Sequence, residues 1–269
     1  MLMGECCNDG AASNYKQRDI ALITELIHVA SLVHDDVLDS ADTRRALATV
    51  NSLFNEKVAI LSGDFIIARA TSKLANLGCS ETITILSSVI RDLIKGEILQ
   101  LKHVGEDDMF ATYLNKTYLK TASLIAHGCQ AVAVNSANPH LQHTAYNYGK
   151  HLGIAFQLVD DMLDFVSTSQ QLGKASGGSD LKLGLATAPV LYASVKHPQL
   201  VDCIGRGFSS PGDVDLALEC VRDSDGIEQT RALAQQYCDM ARDSLADLPG
   251  SHFNMGLSAL CGIVLNRTS

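Results

Sequence analysis

No segment of this chain strings together the roughly 18 apolar residues that a membrane-spanning helix needs, although 46% of its 269 residues are hydrophobic. Basic residues are too few for a nucleic-acid partner: 21 Lys and Arg stand against 30 Asp and Glu, a formal net charge of -9, and no cationic footprint results. That balance does not speak against an anionic small molecule, because local clusters decide such contacts. The eight cysteines include no CxxC pair and no matching histidine spacing. This excludes a zinc site or a disulfide frame and leaves scattered thiols in a reducing compartment. Glycine-rich phosphate loops and Walker patterns are missing. Aromatic residues make up only 5%, and strand-like alternation is sparse, which argues against a β-architecture. The opening residues show no signal-peptide or transit-peptide pattern.

What is present is acidic and locally unfavourable. Ile20, Ile23, Ile27 and Ala30 repeat at helical spacing and lead into His34-Asp35-Asp36-Val37-Leu38-Asp39-Ser40-Ala41-Asp42-Thr43-Arg44-Arg45. On one helix, Asp35, Asp39 and Asp42 project to one side as it ends. Like charges four residues apart cost about 0.2–0.5 kcal/mol each, and anions also oppose the negative C-terminal end of the helix dipole. Such a penalty implies a counter-charge. Mg2+ fits, since it takes oxygen ligands and is held by one or two carboxylates plus substrate phosphates. Arg44 and Arg45 add guanidinium forks suited to phosphate oxygens. The same Asp-Asp-x-x-Asp spacing recurs at Asp160, Asp161 and Asp164, between Phe156 and Phe165. One acidic cluster reads as a solvated helix end; two, each embedded in apolar sequence, point to facing walls of one metal and diphosphate site. Metals there would pull a diphosphate away as a leaving group and generate a carbocation in a water-poor interior.

The periodicity predicts an all-α protein, a single-domain helical bundle around a central hydrophobic cavity. Residues 1–15 read as an irregular N-terminal segment, with Ser13 or Asn14 as the following cap. Long helices are expected over 15–40, 58–77 with an interruption at Gly63-Asp64, 80–101, 109–137 and 140–166. Shorter ones follow near 183–196, 211–222, 225–245 and 256–265. Gly63 reads as a helix-packing contact. The polar stretch 167–182, carrying Lys174 and Lys182, reads as a mobile loop.

These acidic motifs, together with His28, Gly63-Asp64, Lys120-Thr121-Ala122-Ser123-Leu124, Gly153-x-Ala155-Phe156-Gln157, Leu172-Gly173-Lys174 and Ser179-Asp180-Leu181-Lys182-x-Gly184, resemble the trans-prenyltransferases, the head-to-tail isoprenyl diphosphate synthases. The resemblance runs from about residue 16 onward and implies an N-terminally truncated synthase domain over 16–269. It implies a trans-polyprenyl diphosphate synthase condensing isopentenyl diphosphate with farnesyl or geranylgeranyl diphosphate. The steps would be ionisation, head-to-tail attack and proton loss, and the product a long-chain all-trans polyprenyl diphosphate for the ubiquinone side chain. By the same resemblance Asp35, Asp39, Asp160 and Asp164 bind Mg2+, three ions per site, with Asp36 and Asp161 in support and Lys120 among the catalytic groups. Arg44, Lys120, Thr121, Gln157, Lys174 and Lys182 would contact the allylic diphosphate or its metals, and His28 and Arg45 isopentenyl diphosphate. A homodimer or a heteromer with a second synthase subunit, and a place in the mitochondrial matrix, are implied as well.

The match has two departures. The family's upstream Gly-Lys-x-Arg stretch has no counterpart here, and Ala46 stands where a glycine follows the Arg pair. Two further readings therefore stand beside the first: a non-catalytic or regulatory subunit of a heteromeric synthase, and a class I terpene cyclase, whose second metal motif is Asn/Ser/Glu-like rather than Asp-Asp-x-x-Asp. Ala30 and Ser31, five and four residues before Asp35, lie one turn deeper. Their small side chains leave a channel open to a growing tail, so a long product is expected.

Overall fold

The computed structural model describes residues 1–100, 108–166 and 178–268. Lys174 and most of the polar loop expected over 167–182 lie outside the described residues. The chain runs through α1 (Leu2–Cys7), α2 (Tyr15–Leu38), a small antiparallel hairpin of β1 (Thr43–Arg44) and β2 (Leu47–Ala48), α3 (Val50–Phe54) and α4 (Glu56–Asn76). Then come α5 (Ser80–Gln100), α6 (Met109–Thr117), a π-helical turn (Tyr118–Ala122), α7 (Ser123–Val134) and α8 (Gln142–Val166). The remainder is α9 (Ser179–Lys182), α10 (Ala188–Lys196), α11 (Gln199–Gly205), α12 (Asp213–Asp223), α13 (Gly226–Ser244) and α14 (His252–Leu265). The architecture is all-α, as the periodicity predicts, and no helix among the described residues is long and apolar enough to cross a membrane.

The main core forms where α8 packs against α7 and α13, and α2 against α4 and α7. The stripe Ile20, Ile23, Ile27 and Ala30 is buried as its spacing requires. A smaller apolar cluster around Leu181, Val190, Leu200 and Val221 joins α9 to α12. Residues 1–15 are not irregular throughout. Met3, Cys6 and Cys7 of α1 are buried against α7 and α14, and this tertiary burial stabilises a helix too short to persist alone. Gln17 fastens it, donating from Nε2 to the carbonyls of Gly4 at 3.4 Å and Val132 at 3.1 Å. The Gln17 Oε1 also accepts from the Asn14 N–H at 3.0 Å, completing the capping box of α2.

Other boundaries differ for identifiable reasons. α2 stops at Leu38, so Asp39 is its cap and Asp42 lies exposed beyond it. α4 continues through Gly63-Asp64 without interruption. Gly63 is buried, and a Cβ there would sit 2.2 Å from Nε2 of His34; the missing side chain makes room for the histidine instead of breaking the helix. The expected helix over 109–137 is divided by the π turn. α14 starts at His252 rather than near 256, because the Ser251 hydroxyl accepts from the Asn254 N–H at 3.2 Å. In the hairpin, Arg45 and Ala46 have φ of 51° and 63°. A two-residue turn of this hand favours Asn or Gly, so a Cβ at Ala46 costs about 1–2 kcal/mol.

α7 and α8 approach closely through glycine. A Cβ on Gly149 would lie 2.7 Å from the Ile125 carbonyl oxygen, and one on Gly153 would lie 2.6 Å from Cα of Ala122. Both obstacles include backbone, which cannot rotate away. Gly153→Ala is therefore expected to cost about 1–3 kcal/mol, seen as a lower urea midpoint at unchanged slope; an unchanged midpoint would show that the two helices can part at no cost.

Candidate active site

The last turn of α2 and its cap carry the first acidic cluster. Asp36 is buried and accepts from Arg44 Nε at 2.8 Å, a pair that folds the β1–β2 hairpin back over the helix end. Arg44, expected to meet diphosphate, is thus held by Asp36. Asp35 is pushed up to about 6, first by desolvation, then by Glu97, with Lys120 opposing and Asp39 adding to the rise. Asp39 is raised by desolvation too, against the pull of Lys120. Two desolvated carboxylates that resist ionisation fit a site waiting for a cation. Among the described residues no three His, Cys, Asp or Glu side chains form a ready cage for a metal ion. That suits Mg2+, whose shell is commonly completed by water and phosphate rather than by protein.

The π turn supplies the groups between the walls. π-helical turns arise often at functional sites, since one extra residue re-aims the side chains around it. Lys120 Nζ contacts Glu97 Oε1 at 2.6 Å and donates to Gln100 Oε1 at 2.9 Å. Its stem lies over Gly96, where a Cβ would be 2.6 Å from Lys120 Cγ. The Thr121 hydroxyl donates to Gln157 Oε1 at 2.8 Å, and Gln157 Nε2 donates to Asp161 Oδ1 at 2.7 Å. The other oxygen of Asp161 accepts from the Tyr113 hydroxyl at 2.5 Å. Asp161 is therefore buried and committed on both oxygens, and desolvation still pushes it up to about 6. Lys116 is lowered by burial while Asp161, Asp180 and Glu97 pull it back up and Lys120 pushes it down. Lys116 and Lys120 thus connect the surroundings of Asp35 and Asp39 with those of Asp161 across one polar region.

On α8, Asp160 is exposed and pairs with Arg267 Nη2 at 3.2 Å. Asp164 Oδ1 accepts from the Ser179 N–H at 3.0 Å and its Oδ2 from the Asp180 N–H at 3.2 Å, which ties the start of α9 to the second cluster. Asp180 is pushed up to about 7 by burial and then by Asp161 and Asp164. Beside the site opens a cleft of about 330 Å³, lined by residues that include Gln100, Tyr113, Lys116, Leu99, Met109 and Leu185.

The remaining expected residues are spread around this region. His28 is half-buried on α2, two turns before Asp35. Arg45 is exposed at the hairpin tip and Lys182 is exposed on α9, each outside the hydrogen-bonded network among the described residues. Ala30 is fully buried, and half-buried Ser31 donates to the His28 carbonyl at 2.9 Å. Sequence reasoning missed Tyr113, Lys116, Glu97, Gln100, Asp180 and Arg267. A signal existed for some of them: Tyr113, Lys116 and Lys120 stand three and four apart, hence on one face, and Glu97 follows a mid-helix glycine. Arg267 gave none.

The raised carboxylates make stability depend on pH. Asp35, Asp161 and Asp180 hold protons more tightly folded than at the ordinary value of 3.8. The folded state therefore gains protons, and stability, as pH falls from above 7 toward 4, and loses that stability as pH rises. In chelator, the melting temperature is expected to be higher at pH 5 than at pH 8, with a smaller difference in Asp180→Asn. A melting temperature that instead falls on acidification over this range contradicts the burial of these groups.

The sequence is similar to known proteins over nearly its whole length. Residues 1–221 match the family described as Polyprenyl synthetase. An all trans-polyprenyl-diphosphate synthase of Homo sapiens is 50% identical over 272 residues, covering 99% of this chain and 65% of the human protein. A probable mitochondrial hexaprenyl pyrophosphate synthase of Yarrowia lipolytica is 48% identical over 262 residues, covering 94% of this chain and 58% of that protein. The chain thus spans less than two thirds of the length of these curated relatives. Among solved structures, a polyprenyl synthase from Caulobacter crescentus, complexed with calcium and isoprenyl diphosphate, matches 100% of this chain and 84% of its own, with a TM-score of 0.87 and 30% identity.

Proposed function

This chain belongs to the polyprenyl synthetase family, and from that premise we propose that it is a trans-polyprenyl diphosphate synthase. It joins isopentenyl diphosphate head-to-tail to an allylic diphosphate, farnesyl or geranylgeranyl, and releases a long-chain all-trans product of the kind that becomes the ubiquinone side chain. One observation carries the reading: Asp35 and Asp39, desolvated and raised, share a polar region with the second acidic cluster through Lys116 and Lys120. Asp35, Asp39, Asp160 and Asp164 would hold Mg2+, three ions per site, and bound Mg2+ supplies Lewis-acid stabilisation of the departing diphosphate.

The protein's own groups do the rest. Lys120 and Lys116 place positive charge where the diphosphate gains negative charge as the allylic C–O bond breaks. Thr121 and Gln157 are oriented for the same group by the chain that runs through Asp161 to Tyr113. Arg44 and Lys182, with Lys174 outside the described residues, complete the allylic diphosphate's contacts, and His28 and Arg45 serve isopentenyl diphosphate. The isopentenyl double bond attacks the allylic carbon, and the departing diphosphate takes the proton lost. Apolar side chains beneath exclude water from the cation.

The exposed apolar residues Val58, Leu61 and Phe65 on α4, with Ile94 and Ile98 on α5, support a dimer or a heteromer with a second synthase subunit through this face. A mitochondrial matrix location is part of the proposal, supported by the mitochondrial name of the yeast relative. The commitment of Arg44 to Asp36 at 2.8 Å favours one alternative, a non-catalytic subunit that needs a partner.

The test is incubation of the purified chain with farnesyl diphosphate and labelled isopentenyl diphosphate, with and without a candidate second subunit. Elongation by the chain alone is expected. Elongation only with the partner supports the alternative, and cyclic hydrocarbon without label overturns both. Asp35→Asn is expected to lower turnover about 10²- to 10³-fold, the scale for losing one electrostatic stabiliser of a transition state. Ala30→Phe should shorten the products seen by chromatography, whereas an unaltered ladder removes Ala30 from the measure of chain length.

A further inference from the structure

Arg267 follows α14 and lies outside the residues that match the family, which end at 221. Its Nη2 is 3.2 Å from Asp160 Oδ1, and its guanidinium carbon sits 4.4 Å from the centre of the Phe156 ring, one helical turn before that aspartate. The side chain is 24% exposed against 50% for Asp160. Its approach is fixed from a distance: the Tyr148 hydroxyl of α8 donates to the Leu257 carbonyl of α14 at 2.8 Å, so α14 carries Arg267 to the same face of α8 each time the chain folds. The three carboxylates of the second cluster differ in what holds them. Asp161 is bonded by neutral side chains and Asp164 by backbone N–H groups. Asp160 is the one whose recorded partner is a cation borne by another helix's end.

We infer that Arg267 is a tethered counter-ion of Asp160 that a divalent metal must displace, and that it thereby sets how readily the second carboxylate wall takes metal before a diphosphate is present. The inference rests on the assignment of Asp160 to metal under the proposed function. A univalent guanidinium stacked on an aromatic ring neutralises the carboxylate while the site is without substrate. A divalent ion shared with a diphosphate outbids it, because two further negative groups then join the same ion. Arg267 is in this sense a positioning residue that delays metal uptake until substrate is bound.

Mn2+ is the probe, its free concentration read by electron paramagnetic resonance on the full chain, with and without inorganic pyrophosphate. Without pyrophosphate, Arg267→Ala is expected to bind Mn2+ about two- to fivefold more tightly than the parent, the range an exposed ion pair supports. Arg267→Lys, which keeps the charge but loses the planar stack, should fall between them. With pyrophosphate the gap should close, and in an Asp160→Asn background Arg267→Ala should change nothing. A merely structural arginine would lower the melting temperature without tightening Mn2+; if Arg267→Ala melts early, Arg267→Gln is the variant to read. Equal Mn2+ affinity of parent and variant, while Asp160→Asn and Asp164→Asn still weaken binding, overturns the counter-ion role and leaves the metal site standing. Mn2+ binding indifferent to both aspartate variants, even with pyrophosphate, overturns the metal site and the inference together.

Discussion

Carboxylates crowded at one end of an apolar bundle repel one another and, where burial removes their water, resist ionisation, and most of what is distinctive in this structure answers that one constraint. Asp35, Asp39 and Glu97 stand on one side, Asp161, Asp164 and Asp180 on the other, with desolvation as the largest cause of the raised values at Asp35, Asp161 and Asp180. The structure neutralises some of them internally and leaves others for a ligand. Asp36 takes Arg44, Glu97 takes Lys120, Asp160 takes Arg267, and Asp161 takes two neutral donors. Asp35, Asp39 and Asp180 stay raised, with desolvation the largest cause at each. Such a partition separates the acids that shape the site from those that would act in it.

The geometry behind the partition comes from close helix packing. Gly149 and Gly153 let α8 lie against α7 at backbone contact, and Gly96 lets α5 lie against the stem of Lys120. Those approaches bring Thr121 within hydrogen-bond range of Gln157 and Lys120 within range of Glu97. The π turn adds the register change that lets both side chains reach their partners from one short segment. The same packing keeps the Tyr113 hydroxyl on Asp161, so one run of hydrogen bonds links the second acidic cluster to the π turn.

The fold was legible where one local rule dominated. The four-residue stripe from Ile20 to Ala30 and the cap at Asn14 each settle their element by themselves, and the acidic triplets marked the site because each breaks a helix rule in apolar surroundings. Legibility failed where the cause lay in another part of the chain. α1 is helical because α7 and α14 cover it, α4 is continuous because Gly63 receives His34, and the helix over 109–137 is divided although nothing in its sequence interrupts the period. Tyr113, Lys116 and Glu97 each look like ordinary helix residues until the carboxylates they face are known. Arg267 is more extreme, being 107 residues from the aspartate it meets.

Sequence alone determined that this protein is helical, which faces of its helices are apolar, and that two carboxylate clusters are held in hydrophobic surroundings, because these follow from spacing along a single helix. Tertiary structure decided which carboxylates are already neutralised, which cations lie between the clusters, and where the α6–α7 helix changes register. The physical reason is range: periodicity and capping act over three or four residues, whereas desolvation and ion pairing depend on groups brought close only when the chain has packed.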